Sequence, residues 1–178
     1  VEPLKELLRT PALRFVGFDG FYFTNELCHA TANALEVGSS ITDISFHSDC
    51  SFLVGGRAII ANALKRNASV TDVRFLDDFD EPFCNALAAV LLSNSTLQNL
   101  SLQLPEGSSG RWLSSIFLSL GTNTTLKSLS VSSIYDEFGD ELCAAIRNGL
   151  AKNATLEKLL LYSIIPSGDD AAVSARNA

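Results

Sequence analysis

The sequence predicts a right-handed α/β solenoid in which a helix and a short parallel strand alternate every 28–29 residues. Three observations carry this. One six-residue motif recurs along the chain: Leu13-Arg-Phe-Val-Gly-Phe, Ile41-Thr-Asp-Ile-Ser-Phe, Val70-Thr-Asp-Val-Arg-Phe, Leu97-Gln-Asn-Leu-Ser-Leu, Leu126-Lys-Ser-Leu-Ser-Val and Leu156-Glu-Lys-Leu-Leu-Leu, at intervals of 28, 29, 27, 29 and 30. A helical stripe precedes five of these motifs at fixed offsets. Between stripe and motif stands a fixed Gly or Asn.

The elements follow in chain order. Residues 3–7, Pro-Leu-Lys-Glu-Leu, resemble the end of a helix. Each motif then reads as a strand, because apolar side chains recur three and five residues after its first residue: Val16/Phe18, Ile44/Phe46, Val73/Phe75, Leu100/Leu102, Leu129/Val131 and Leu159/Leu161. That spacing of two buries one face. The stripe is Leu27, Gly56, Phe83, Trp112 and Leu142 at −14, with Thr31, Ile60, Leu87, Ile116 and Ile146 at −10. Ala34, Ala63, Val90, Ser119 and Gly149 follow at −7, and Leu35, Leu64, Leu91, Leu120 and Leu150 at −6. Offsets of 0, 4, 7 and 8 lie on one side of an α-helix. Gly38, Asn67, Asn94, Asn123 and Asn153 at −3 are types that accept the left-handed conformation ending a helix. Residues 168–173 resemble the opening of one more helix. Strands joined through helices run parallel, and each unit buries its stripe only against its neighbours. The chain therefore reads as one domain over 1–178 with five to six repeats, each end falling within a repeat.

The motif Asn-x-Thr/Ser-Leu-x-x-Leu-x-Leu, clearest at 94–102, 123–131 and 153–161, precedes or follows helices such as Glu26-Leu-Cys-His-Ala and Glu141-Leu-Cys-Ala-Ala-Ile. In this it resembles the ribonuclease-inhibitor-like class of leucine-rich repeats. The resemblance implies a curved horseshoe, strands on the concave side and helices on the convex side, that works by binding other proteins. Phe46 and Phe75 replace Leu, Gly38 replaces Asn, and Gly56 leaves a helix position empty.

Composition excludes several functions. A formal net charge of −7 is wrong for a phosphate-backbone binder, and no apolar run approaches the roughly 20 residues of a bilayer span. Cys28, Cys84 and Cys143 share the −13 column as small buried thiols, Cys50 sits in a loop, and none forms a Cys-x-x-Cys pair. This favours a reducing, cytoplasmic setting. The sequons Asn67-Ala-Ser, Asn94-Ser-Thr, Asn123-Thr-Thr and Asn153-Ala-Thr all fall on the helix-stop column, where the repeat already requires Asn. Acids gather in the strand-to-helix loops (Asp49, Asp77, Asp78, Asp80, Glu81, Asp136, Glu137, Asp140, Glu141, Asp169, Asp170) as a solvated, helix-capping rim without the spacing of a Ca²⁺ loop. His29 and His47 stand in no nucleophile motif, and the glycine-rich stretches lack a Gly-Lys-Ser/Thr. No catalytic activity, cofactor or metal is expected.

The unburied strand face is left to carry function. Its columns run Phe15, Asp43, Asp72, Asn99, Ser128, Lys158; then Gly17, Ser45, Arg74, Ser101, Ser130, Leu160; then Asp19, His47, Leu76, Gln103, Ser132, Tyr162. Packing does not dictate these identities. Asp43, His47, Asp72, Arg74, Gln103, Lys158 and Tyr162 are the candidate partner-binding residues, supplying charge pairs and aromatic or guanidinium anchors. The expected function is a non-catalytic protein-interaction scaffold, with self-association through apolar repeat ends as an added expectation. Two alternatives are a regulator of a small GTPase or actin filament, proteins of which kind carry similar repeats, and a secreted recognition protein glycosylated at the sequons.

Overall fold

The computed structural model describes residues 2–36, 40–76, 79–104, 110, 112–133, 139–163 and 173–174. Helix α1 (Glu2–Leu8) leads into β1 (Phe15–Phe18), β2 (Tyr22–Phe23) and α2 (Asn25–Glu36). Next come β3 (Asp43–Phe46), β4 (Ser51–Phe52) and α3 (Gly56–Leu64), then β5 (Asp72–Leu76) and α4 (Glu81–Ser93). The chain continues through β6 (Asn99–Gln103), α5 (Leu113–Leu120), β7 (Ser128–Ser133), α6 (Asp140–Leu150), β8 (Lys158–Ser163) and β9 (Val173–Ser174).

Six strands, β1, β3, β5, β6, β7 and β8, pair side by side in chain order, all parallel. Their register is the one the motif frame requires. Phe15, Asp43, Asp72, Asn99, Ser128 and Lys158 form one row across the sheet, and Gly17, Ser45, Arg74, Ser101, Ser130 and Leu160 another. A one-residue slip in any strand would turn its buried set to the opposite face, so an unbroken register across six strands fixes which face is core. The helices stack in the same order, each against the next.

The interleaved rows and the helix stripes form one continuous core, buried through the middle strands and partly buried at the ends, at Val16, Leu159 and Leu161. Phe18, Phe46 and Phe75 stack ring on ring, with centroids 5.2 and 4.9 Å apart, before Leu102, Val131 and Leu161 continue the row. A second stack, Phe23 on Phe52 at 4.4 Å, accompanies a small parallel pairing of β2 with β4. That pairing is absent from the repeat frame, since two residues per strand show no periodicity. The aromatic substitutions at 46 and 75 thus belong to a cluster rather than loosening the packing.

Helix packing explains two glycines. A Cβ on Gly149 would overlap the carbonyl oxygen of Phe117, so α6 lies against α5 at a distance only glycine permits. At Gly56 an added Cβ would sit 2.8 Å from the sulfur of Cys28. The helix position that Gly56 seems to vacate is filled from the preceding helix.

Three expectations need correction. Asn94 is not left-handed: it caps α4 in an extended conformation, φ −79° and ψ 136°. Its side chain explains the residue type instead. Asn94 Nδ2 donates to the carbonyls of Leu64 (2.6 Å) and Asn67 (2.9 Å), and its Oδ1 accepts from the amides of Thr96 and Leu97. Asn67, Asn123 and Asn153 bridge in the same way to Leu35, Leu91 and Leu120. Second, Cys143 is exposed, unlike buried Cys28 and Cys84. Cys50 is also buried, and its thiol donates to the Phe18 carbonyl at 3.3 Å. Third, Val173 lies in β9, antiparallel to β8, not in a helix.

The capping rim is seen at Asp80, whose carboxylate accepts the amide of Phe83 at 2.8 Å at the start of α4. Gly38, Asp77, Asp78, Asp136, Glu137, Asp169 and Asp170 lie outside the described residues. Among the described residues no helix is long and apolar enough to cross a membrane, and no group of three or more His, Cys, Asp or Glu is placed to hold a metal ion.

Candidate functional site

The sheet face opposite the helices carries the candidates. Because side chains alternate across a strand, burying Val73 and Phe75 of β5 turns Asp72, Arg74 and Leu76 outward, and the same holds along β6 and β7. A groove of about 310 Å³ runs across this face over four strands, β5 to β8. Asp72 and Arg74 flank it on one side, Lys158 and Leu160 on the other, and Asn99, Ser101, Ser128 and Ser130 line it between them.

The groove's charges are unevenly committed. Asp72 is half-buried, and both of its oxygens accept hydrogen bonds, Oδ2 from the Thr71 hydroxyl at 2.7 Å and Oδ1 from the Asn99 amide at 2.8 Å. Asp43 is held similarly by Thr42 at 2.6 Å. Arg74 is exposed and makes no side-chain hydrogen bond or ion pair among the described residues, and the same is true of Lys158. The side-chain hydroxyls of Ser101, Ser128 and Ser130 likewise find no partner among the described residues. The site therefore offers free donors and two free cations, while its carboxylate is held by Thr71 and Asn99.

Of the seven candidates, the groove brings together Asp72, Arg74 and Lys158. Asp43 lies one strand outward, beside Asp72. His47 follows the end of β3, exposed, with its ring 3.3 Å from the Ser45 hydroxyl. Gln103 and Tyr162 share the next row, half-buried and 45% exposed respectively, outside the groove lining. Asn99, Ser101, Ser128, Ser130 and Leu160 line the groove but were not among the candidates. Their signal was their place in the same two columns, which a search for charged and aromatic anchors passes over.

Two cysteines inside the helix stack are inert by environment. Burial pushes the Cys28 thiol up to about 11 against a small opposing pull from Arg57, and burial pushes Cys84 up to about 12, with Asp80 adding to the shift.

Compared with known protein families and with curated proteins, the chain matches none. The functional reading rests on the repeat geometry itself.

Proposed function

We propose that the chain is a leucine-rich repeat protein of the ribonuclease-inhibitor-like class, a right-handed horseshoe that holds a protein partner against its strand face and performs no catalysis. The observation that carries this reading is the register: one row of every strand is given to the core, and the facing rows vary freely from strand to strand. A broad parallel face with unpaired Arg74 and Lys158 beside Leu160 and exposed Tyr162 supplies the residue types that anchor protein interfaces. The half-buried Leu156, Leu159 and Leu161 of the last motif support self-association as a further mode.

The cytoplasmic assignment is supported by four cysteines that form no disulfide. The glycosylated alternative loses support from the Asn column. The Nδ2 atoms a glycan would occupy are committed as donors, and Asn67, Asn94 and Asn123 are buried. Regulation of a GTPase or actin filament has no specific residue in its favour.

The test is paired capture from source-cell lysate, read by mass spectrometry, with the native chain and an Arg74→Glu/Leu160→Glu/Tyr162→Ala chain as baits. A protein held only by the native bait supports docking on the strand face. Identical captures by both baits contradict it.

A further inference from the structure

We propose that the groove is built for an acidic segment of the partner, with two side-chain carboxylates seated on Arg74 and Lys158. This rests on the docking reading above and names the chemistry of the docked chain.

The protein as a whole is acidic, at −7, yet among the described residues the uncommitted charges in the groove are cations. Asp72 would be expected to neutralise Arg74, its neighbour on the same strand face. Thr71 and Asn99 hold the carboxylate instead, one on each oxygen, and no Asp72–Arg74 ion pair forms. Arg74 is thereby left to an external anion. Lys158 has no acid across from it either: its row neighbour on β7 is Ser128.

Spacing defines the ligand further. Arg74 on β5 and Lys158 on β8 are three strand intervals apart, about 14 Å at ~4.8 Å each, and two residues apart along the strands, about 16 Å in all. An extended chain rises about 3.3 Å per residue, so two carboxylates four residues apart lie on one side of such a segment about 13 Å apart, within reach of the long Arg74 and Lys158 side chains. Between the cations lie the Ser101, Ser128 and Ser130 hydroxyls and the Asn99 side chain, small groups that allow a backbone to approach. The serines can donate to the segment's carbonyls or to its carboxylates. A single phosphate dianion suits the groove less well, since one group cannot span two cations about 16 Å apart. A basic segment would meet two unpaired cations.

The probes are fluorescein-labelled nine-residue peptides of Gly and Ser carrying two Glu four residues apart, two Gln at the same positions, or two Lys. Binding to the whole chain is followed by anisotropy at low and moderate salt. The Glu peptide is expected to bind about tenfold more tightly than the Gln peptide, to weaken as salt rises, and to lose about tenfold on Arg74→Ala or Lys158→Ala. Arg74→Lys should restore much of the binding. Both positions are exposed, so these variants should melt with the native chain. Equal binding of Glu and Gln peptides, or tighter binding of the Lys peptide, overturns the proposal. The captured partner separates the two levels. If Leu160→Glu/Tyr162→Ala abolishes its capture while Arg74→Ala and Lys158→Ala retain it as the native chain does, docking stands and the acidic segment falls. If none of these variants changes capture, both fall.

Discussion

The side-chain amide of Asn94 reaches back 2.9 Å to the carbonyl of Asn67, so the turn that ends one helix is tied to the turn that ended the helix before it. Asn153 makes the same reach to Asn123, at 3.1 Å. The neighbouring hydroxyls repeat the tie, Thr96 to Asn67 and Thr155 to Asn123. Stacking is thus held on the helix-to-strand side by hydrogen bonds as well as by the core, and each Asn satisfies backbone groups that no regular element would otherwise reach.

Asn94→Ala should destabilise the chain by about 3 kcal/mol, because it orphans the buried carbonyl of Leu64 and the amides of Thr96 and Leu97. Asn153→Ala, at a half-buried position, should cost less. Urea unfolding of the two variants checks the order. Equal losses at both sites would show that burial does not set the cost.

Gly149→Ala should cost about 2–3 kcal/mol by driving α6 off Phe117. Gly56→Ala strains a softer contact, a cysteine side chain, and the added Cys28→Ala change should recover part of its loss. Thermal melts of the two singles and the double give the coupling. Strictly additive effects would mean that the sulfur is not the obstacle.

Thiol chemistry should single out Cys143. At pH 8 in the native state it alone is expected to react with a thiol reagent, since it is exposed and the other three are buried. Stability should also fall with rising pH. The unfolded chain loses the Cys28 and Cys84 protons near 9.0, while burial holds them in the folded chain until about 11 and about 12. The folded state therefore binds more protons across that window, and the sign of the linkage makes alkali destabilising. Below about pH 8 these two thiols contribute no slope. Urea midpoints from pH 8 to 11 measure the effect, and a Cys28→Ala/Cys84→Ala chain, although less stable throughout, should show a flatter curve.

Charge changes on the strand face should separate by commitment. Arg74→Ala should leave the melting temperature nearly unchanged, whereas Asp72→Ala should cost about 1 kcal/mol through its bonds to Thr71 and Asn99. Asp72 is therefore a poorer probe of binding than Arg74. A calorimetric scan of each variant decides this.

The sheet was legible residue by residue because its information is redundant: six strands each repeat the same pair of buried positions, and one register satisfies them all. What escaped reading depends on contacts between units. Left-handed tolerance is a local reason for Asn, whereas the bonds of Asn94 run to Leu64 and Asn67, about one repeat away. Gly56 reads as a defect until Cys28 is seen filling its place. At the site, the rows were evident in sequence, but the engagement of Asp72 by Asn99, which leaves Arg74 unpaired, is a fact of side-chain geometry.

The most direct test is hydroxyl-radical footprinting of the native chain with and without the captured partner. Exposed reporters stand on three sides: Tyr162 on the strand face, Leu92 (62% exposed) and Leu118 (52%) on the helices, and Tyr22 and Val54 (97%) beside the small two-stranded sheet. The partner is expected to protect Tyr162 and Leu160 and to leave Leu92 and Leu118 as reactive as before. Protection of the helix or Tyr22–Val54 reporters with Tyr162 unchanged would contradict the account.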